Sequence, residues 1–233
     1  MNQPLVFLHG SADSARIWRL QLEHFRNGGN RNVFAIDLPG HGQRPDIFSS
    51  EVTIQDFARA VRTIIKHELH VDQPIIAGHS LGGAIALTMA LEYHTELSSL
   101  VLIGTGARLR VLPALLEGAK INPQETRRQL VEMATAPANR ASVVPAVMTE
   151  QTTPGPMILY RDLMACHNFD VTSRLQEISV PTLIVCGEED RLTPVKYSEY
   201  LHQQITSSTL HIIPQAGHYV MREQPEKLNQ IIV

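Results

Sequence analysis

Residues 75–87 read IIAGHSLGGAIAL, and this stretch decides the fold. An apolar run enters a turn at Gly78, and an alanine- and leucine-rich segment with helical periodicity follows the turn. The order of strand, sharp turn and helix places Ser80 at the apex. A Cβ atom on Gly78 or Gly82 would collide with the neighbouring strand or helix, so glycine is what such a turn demands at both positions. The stretch predicts a nucleophile elbow with Ser80 as the nucleophile.

The five-residue pattern by itself leaves a second interpretation, a glycine-rich turn whose serine only caps the helix that follows. A catalytic elbow requires a strand before Ser80 and a helix after it, and the sequence predicts both. A serine hydroxyl is a poor nucleophile until a base takes its proton, and that base needs a carboxylate to orient it. The catalytic interpretation therefore depends on a histidine and an acid elsewhere in the chain.

Length and composition indicate the class of protein. The chain has 233 residues, of which 43% are hydrophobic and 18% charged, and its formal net charge is −3. It is long enough for one sizeable core and short for two. The negative charge and the lack of Lys/Arg clusters argue against nucleic acid as a partner. Because no apolar run reaches membrane-spanning length and no leader pattern is present, we expect a soluble, cytoplasmic protein.

The two cysteines do not suggest a disulfide framework. Cys186 stands in an apolar run and is predicted to be a buried strand residue, whereas the role of Cys166 stays open. No zinc-type spacing such as H-E-x-x-H occurs, so we expect neither a metal nor a cofactor.

Six apolar runs predict buried strands, and helical patterns separate them. In addition to the run that enters the elbow, these are residues 5–8, 33–36, 100–103, 182–186 and 209–213. Helix starts are marked by Ser14, by a capping box of Thr53 with Asp56, and by the prolines of Asn122-Pro123, Thr193-Pro194 and Pro225. We predict an α/β fold, a mostly parallel twisted sheet of about six strands with helices on both faces.

The pattern changes after the fourth strand. Residues 108–172 contain short helical segments and no strand pattern, and we expect these segments to be broken by Pro113, Pro123, Pro137, Pro145, Pro154 and Pro156. We predict a helical lid over residues 107–172, inserted into a core of residues 1–106 and 173–233. Its apolar residues either line a substrate pocket or pack one lid helix on another. They are Val111, Leu112, Leu115, Leu116, Leu130, Met133, Val147, Met148, Met157, Ile158, Leu163 and Met164.

The predicted base is His218, which stands in a loop directly after the last strand, where it can reach across to Ser80. The alternative is a histidine that only caps the closing helix. His79 adjoins the serine, but its side chain must diverge from Ser80 at the apex, so we expect it to pack. His9 and His41 belong to glycine turns and are expected to organise loops. The remaining histidines are interpreted as surface or helix-end residues: His24, His67, His70, His94, His202 and His211.

The predicted acid is Asp190, which follows the fifth strand, with Glu188 and Glu189 as alternatives. A solvated acidic turn would have the same composition. Asp37 also ends a strand, but it precedes the serine, and the order serine, acid, histidine is the one associated with this elbow. Because ligand sites in open α/β sheets lie at the carboxyl ends of the strands, these groups are expected to converge. The groups at predicted strand ends are His9-Gly10, Asp37, Ser80, Gly104, Asp190 and His218.

The chain resembles the α/β-hydrolase superfamily, in the lid-bearing branch of small carboxylesterases, pimeloyl-carrier-protein methyl esterases, carbon–carbon bond hydrolases and cofactor-free haloperoxidases. The residues that carry the resemblance run from end to end: 8–10, 37–42, 78–83, 187–194, 216–218 and 223–225. The resemblance implies an oxyanion hole made by the backbone N–H of Ser11 or Ala12 and that of Leu81. Members of the superfamily usually carry a strand or two before the His-Gly strand. Here the 33–36 strand is therefore expected to be an exposed sheet edge, which favours a homodimer.

The resulting prediction is a serine hydrolase that cleaves carboxylic esters of small to medium apolar acyl groups through an acyl-serine intermediate. A serine at the elbow, where dehalogenases and epoxide hydrolases have aspartate, argues against those two chemistries. Two alternatives stay open. One is a carbon–carbon bond hydrolase that uses the same residues, and the other is a ligand-binding protein of the same fold with slow or absent turnover.

Overall fold

The chain forms one parallel sheet of six strands in a computed structural model that describes residues 3–29, 32–48, 51–150, 155 and 157–232. The strand order is β2-β1-β3-β4-β5-β6, and each neighbouring pair is parallel. Each strand lies within one residue of its predicted bounds. The strands are β1 (Leu5–Leu8), β2 (Val33–Ile36), β3 (Ile75–His79), β4 (Ser99–Ile103), β5 (Thr182–Gly187) and β6 (Ser208–Ile213).

The sheet is covered on both faces, which explains why its central strands read as unbroken apolar runs. Along β1, Val6 and Leu8 belong to one buried cluster, whereas Leu5 and Phe7 belong to the other. This alternation follows from the two-residue period of a strand. A strand buried on both faces therefore needs apolar residues at every position, and the predicted helix-covered parallel sheet is confirmed.

Ten α-helices occur in the described part of the chain. They are α1 (Arg19–Asn27), α2 (Ile54–Ile64), α3 (Leu81–Glu92), α4 (Pro113–Ile121), α5 (Pro123–Ala134), α6 (Arg140–Glu150), α7 (Ile158–Asn168), α8 (Val195–Gln204), α9 (Val220–Glu223) and α10 (Pro225–Ile231). The predicted capping box of Thr53 and Asp56 opens α2, and Asn122 caps α5 by accepting from the backbone N–H of Glu125. Helices α2, α3 and α8 contribute to the cluster on one face of the sheet, and α1 and α10 to that on the other.

Helix α3, which follows the elbow, is the most deeply enclosed helix of the core. Every residue from Leu81 to Ala90 is buried, so the helix has no polar face. This burial explains its Ala/Gly-rich sequence, because small side chains let a helix pack closely on a sheet and on its neighbours. Ser80 is therefore held at the end of the strand and helix that lie at the centre of the molecule.

Four helices, α4 to α7, occupy the connection between β4 and β5. In the described part of this connection the only pairing of strand type is an isolated bridge between Arg108 and Asp170. Pro113, Pro123 and Pro137 begin helical segments, as expected. The expectation is wrong for Pro145, which lies inside α6. Its ring removes one helical hydrogen bond, and burial of the flanking Val143 and Val147 offsets that loss. Pro154 and Pro156 lie outside the described residues.

Strand β2 forms one edge of the sheet, as the sequence predicted, and β6 forms the other. Within the ranges given above, no helix combines the length and the apolar character needed to cross a membrane.

Candidate active site

Ser80 sits in a strained backbone conformation between β3 and α3. Its φ is 53° and its ψ −113°, a combination of backbone angles that residues other than glycine rarely adopt. The conformation is held by two contacts to β4 and the residues after it. The Ser80 backbone N–H donates to the carbonyl of Ile103 at 3.0 Å, and Thr105 Oγ1 donates to the carbonyl of Ser80 at 2.9 Å. Such strain persists only where the surroundings enforce it, and here they turn the Ser80 side chain towards a cavity.

The two flanking glycines are required by close contacts, as predicted. A Cβ atom on Gly78 would overlap the backbone of Gly82, at the start of α3. A Cβ on Gly82 would lie 2.5 Å from the carbonyl oxygen of Leu8 in β1. The elbow is therefore as tight as the packing of strand and helix permits.

His218 and Asp190 are joined by a short hydrogen bond. His218 Nδ1 lies 2.7 Å from Asp190 Oδ2, and both side chains are almost completely removed from solvent. Asp190 Oδ1 accepts from the backbone N–H groups of Leu192 and Thr193, each at 2.9 Å. Thr193 Oγ1 donates to Asp190 Oδ2 at 2.8 Å. The carboxylate is thus fixed by three donors besides the imidazole.

The pKa values of this pair move apart for electrostatic reasons. Burial by itself would raise the pKa of the Asp190 carboxyl, but the adjacent His218 and the bonds from Thr193 hold it below its ordinary value. Burial would likewise lower the pKa of His218, but Asp190 raises it above the ordinary value of 6.5. The carboxylate is therefore charged at neutral pH and stabilises a proton on the imidazole.

Ser80 and His218 border the same cavity, but no hydrogen bond between their side chains occurs in the described structure. A loose serine–histidine contact is common in structures without substrate and does not exclude the pair. The structure therefore brings His218 to Asp190 directly, and His218 to Ser80 only as a neighbour across the cavity.

The cavity has a volume of about 170 Å³ and is lined mostly by apolar side chains. Of the lid residues that sequence reasoning could not assign, half line it: Val111, Leu112, Leu115, Leu130, Met133 and Leu163. Leu116 and Val147 instead pack into buried clusters, and Met157 is exposed. The set therefore divides between residues that line the cavity and residues that pack in the interior or are exposed.

The loop after β1 provides one side of the candidate oxyanion hole. Ser11 lines the cavity. The N–H of Ala12, the other candidate, already donates to Asp162 Oδ2 at 2.9 Å. Leu81 is the first residue of α3, where backbone N–H groups have no partner within the helix. Of the two candidates in the loop after β1, Ser11 is therefore the one whose N–H is not already bonded to Asp162.

The other histidines near the site have structural contacts, as expected. His79 is buried and its Nε2 lies 3.1 Å from the carbonyl of His218, so it holds the loop that carries His218. His9 donates from Nδ1 to the Gly10 carbonyl at 2.8 Å and accepts the Leu38 N–H at Nε2. Burial, together with the neighbouring His41, lowers the pKa of His9 to about 3, so it stays neutral.

The alternative acids lie elsewhere. Glu188 and Glu189 are exposed, whereas Asp190 is buried. Asp37 accepts from the backbone N–H groups of Ala15 and Gln43, and so joins two loops. Of the four candidate acids, Asp190 is the only one for which the structure shows a bond to His218, and this favours Asp190.

The cysteines are free thiols. Cys186 is buried in β5, as predicted. Cys166 lines the cavity, with its Sγ 3.7 Å from Ser11 Oγ. Burial raises the pKa of the Cys166 thiol to about 12, so it is not a nucleophile at neutral pH. In the part of the chain that the structure describes, no group of three or more His, Cys, Asp or Glu side chains is arranged to bind a metal.

Three residues of the site were missed as site residues by sequence reasoning. The sequence predicts Thr193 only as part of a helix start and Glu223 only as one of the residues that carry the family resemblance, and it predicts no role for Asp162. Glu223 accepts from the backbone N–H groups of Gly217 and Tyr219 on either side of His218. No local signal marks Asp162, because its partners Ala12 and His41 lie more than a hundred residues away in the chain.

The sequence matches a family model described as Alpha/beta hydrolase family over residues 5–231. A pimeloyl-(acyl-carrier protein) methyl ester esterase of Neisseria meningitidis serogroup C is 31% identical over 204 residues, which cover 80% of this chain and 75% of that protein. A 2-hydroxy-6-oxononadienedioate/2-hydroxy-6-oxononatrienedioate hydrolase of Burkholderia vietnamiensis is 29% identical over 252 residues, 100% of this chain and 86% of that protein. The solved structure of a thermophilic esterase is 33% identical with a TM-score of 0.83, covering 99% of this chain and 88% of that one.

Proposed function

Because the chain belongs to the α/β-hydrolase family, we propose that it is a serine hydrolase for carboxylic esters of small to medium apolar acyl groups. The observation that carries the proposal is that Ser80 and the Asp190-bonded His218 border one apolar cavity. Esterases among the similar proteins support the same reaction. The partner is thus a small apolar ester, and the reaction needs no cofactor.

In the proposed mechanism Ser80 Oγ attacks the ester carbonyl carbon while His218 Nε2 takes its proton. Asp190 keeps the Nδ1 proton of His218 in place and stabilises the imidazolium. The N–H groups of Ser11 and Leu81 donate to the oxyanion, each worth roughly 3 to 4 kcal/mol in the transition state. His218 then protonates the leaving alcohol, and later takes a proton from the water that attacks the acyl-serine and releases the acid.

The acyl group occupies the space between the elbow and the helical connection. Support comes from α4, α5 and α7, whose Leu115, Leu130 and Leu163 line the cavity. We assign residues 107–172 to a lid on this basis, and residues 1–106 and 173–233 to the core. An aliphatic lining selects acyl groups by buried area rather than by hydrogen bonds.

A carbon–carbon bond hydrolase is the second candidate. Two observations favour it: one similar protein is named for such a substrate, a dioate, and Arg110 and Arg191 also border the cavity. A guanidinium suits a carboxylate. Hydrolysis of a vinylogous diketone would use the same serine and histidine, so only the substrate distinguishes the two reactions.

The test is labelling by a fluorophosphonate, with the wild-type chain and Ser80→Ala compared in folded form. We expect labelling of the wild type alone, because only an activated serine displaces the fluoride. An unlabelled wild type would leave a ligand-binding protein as the remaining interpretation. Nitrophenyl esters assayed beside a ring-cleavage product then separate the two hydrolytic candidates by kcat/KM.

A homodimer through the β2 edge and a cytoplasmic location complete the proposal. β2 carries unpaired backbone groups along one edge of the sheet, which can pair with a second copy. Light scattering over a range of concentrations tests the dimer, and a constant monomer mass would refute it. Two free, buried thiols are consistent with a reducing compartment.

A further inference from the structure

Asp162 is a fully buried carboxylate on α7 that makes two bonds to the core. Its Oδ2 accepts the backbone N–H of Ala12 at 2.9 Å and lies 2.8 Å from His41 Nε2. Neither the Asp162 nor the His41 side chain is accessible to solvent. Ala12 has a φ of 54°, so the turn that begins at Gly10 is held in a conformation it would not adopt unaided.

His41 is positioned to carry the countercharge. Its Nδ1 lies 3.1 Å from the Pro39 carbonyl, while Nε2 faces Asp162. Burial would lower the pKa of His41, but the Asp162 carboxylate raises it above its ordinary value and so favours the protonated imidazole. The Asp162 carboxylate is thus paired within the interior, by His41 and by Arg161 Nε at 3.8 Å, as a buried charge requires.

The same side of α7 contacts the neighbouring parts of both loops. One helical turn after Asp162, Cys166 lies against Ser11. Arg161, the residue before Asp162, donates to the Pro39 carbonyl at 3.0 Å and to Asp46 at 2.6 Å. Helix α7 therefore contacts the loop after β1 and the loop after β2 through side chains that are themselves buried.

We propose that Asp162 is a positioning residue that holds the oxyanion hole from the lid side. By binding the Ala12 N–H it fixes the 10–13 turn and leaves the adjacent Ser11 N–H to face the substrate oxygen. His41 ties the same carboxylate to the loop after β2. The oxyanion hole is thus assembled by the core and α7 together. The inference rests on the proposed ester hydrolysis.

The change that tests this is Asp162→Leu, which has a similar volume but no acceptor and so releases both the Ala12 N–H and His41. A misplaced Ser11 N–H stabilises the transition state less and affects substrate binding little. The kcat for a nitrophenyl ester should therefore fall about 10- to 100-fold while KM changes less than about threefold. Affinity for an alkyl trifluoromethyl ketone should fall by a similar factor. That ketone adds the Ser80 oxygen at its carbonyl carbon, with the proton passing to His218, and leaves an oxyanion. The matched methyl ketone, which stays unreacted, should bind as before.

The matched control is Glu150→Gln on α6. Glu150 is another lid carboxylate that binds the core, through Arg19 and Arg222, but it lies outside the cavity. The substitution Glu150→Gln should lower the free energy of unfolding and leave kcat unchanged. If Asp162→Leu does not fold, Asp162→Glu, which keeps the charge and shifts it by one methylene, should show the same loss of kcat.

Two results are distinguishable. An Asp162 variant with kcat and ketone affinity within twofold of the wild type overturns the inference alone. A wild type that neither hydrolyses esters nor adds the trifluoromethyl ketone overturns the proposed function, and the inference with it.

Discussion

His218 Nδ1 lies 2.7 Å from Asp190 Oδ2, and this bond joins residues that stand 28 positions apart on different loops. The loops after β5 and β6 meet because their strands are neighbours and parallel, so both end at the same edge of the sheet. The bond favours the proton on Nδ1 of His218, so Nε2 is the nitrogen that the proposed mechanism uses as the base.

The first prediction concerns pH. His218 accepts the serine proton only when it is neutral, and its pKa lies above the ordinary 6.5 because Asp190 outweighs burial. Activity should therefore fall as the pH drops through a midpoint above 6.5. The measurement is kcat/KM of the wild type between pH 5 and 9, which reports the free enzyme. A midpoint below 6.5 would contradict the assignment.

Asp190→Asn is the second prediction. The substitution removes the charge that raises the pKa of His218, so burial dominates and the midpoint should move below 6.5. It should also reduce kcat roughly 10⁴-fold, because the amide favours the wrong tautomer of the imidazole. Glu189→Gln, in the same loop but exposed, is the control and should retain wild-type kinetics.

Gly82→Ala is expected to destabilise the fold. The added methyl would lie 2.5 Å from the Leu8 carbonyl, so β1 and α3 must separate, at a cost of about 2–3 kcal/mol. Urea unfolding gives the difference. Gly28→Ala is the control, since its Cβ would meet nothing closer than 3.4 Å and its φ is −72°. The elbow contacts would be shown unimportant if both variants lost the same stability.

The lining of the cavity predicts an acyl-length preference. Each buried CH₂ contributes about 0.8 kcal/mol, so kcat/KM should rise about fourfold per methylene until the cavity is full. Leu130→Trp should shift the optimum to shorter acyl groups because it fills that space. The exposed Ile121→Trp on α4 should leave the optimum unchanged. A nitrophenyl ester series from acetate to dodecanoate measures it, and an unaltered optimum in the Leu130 variant would contradict the assignment of the lid.

Glu223→Gln should be strongly destabilising. The buried carboxylate accepts from the Gly217, Tyr219 and Ala136 N–H groups, at 3.0, 3.1 and 2.9 Å. A glutamine NH₂ would face at least one of these donors, at a cost of about 2–3 kcal/mol. Chemical unfolding measures the loss. Glu226→Gln, which is exposed, should change stability by less than about 0.5 kcal/mol.

The secondary structure could be predicted closely because its signals are local. The buried run of β1 and the capping box at Thr53 are confirmed at the predicted residues. Pro145 was predicted wrongly because a proline does not end every helix. Here α6 continues through it, with Val143 and Val147 buried on either side. Which apolar residues of the predicted lid line the cavity and which pack in the interior likewise depends on tertiary packing, which the sequence does not show.

The part of the candidate site that lies directly after the strands could be predicted from the sequence, because strand ends are recognisable in it. Asp190 and His218 are bonded, whereas their catalytic role and that of Ser80 stay predictions. Thr193 was not anticipated as a partner of Asp190, because a hydroxyl in a turn carries no sign of the carboxylate it will contact.

The sequence by itself determined the order of strands and helices, the family and the residue at the elbow, since hydrophobic periodicity and glycine turns act between near neighbours in the chain. Only the tertiary structure decided that Asp162 binds the Ala12 N–H and that His41 lies against the same carboxylate. These contacts join segments more than a hundred residues apart, and whether a buried charge meets its partner depends on how those segments pack.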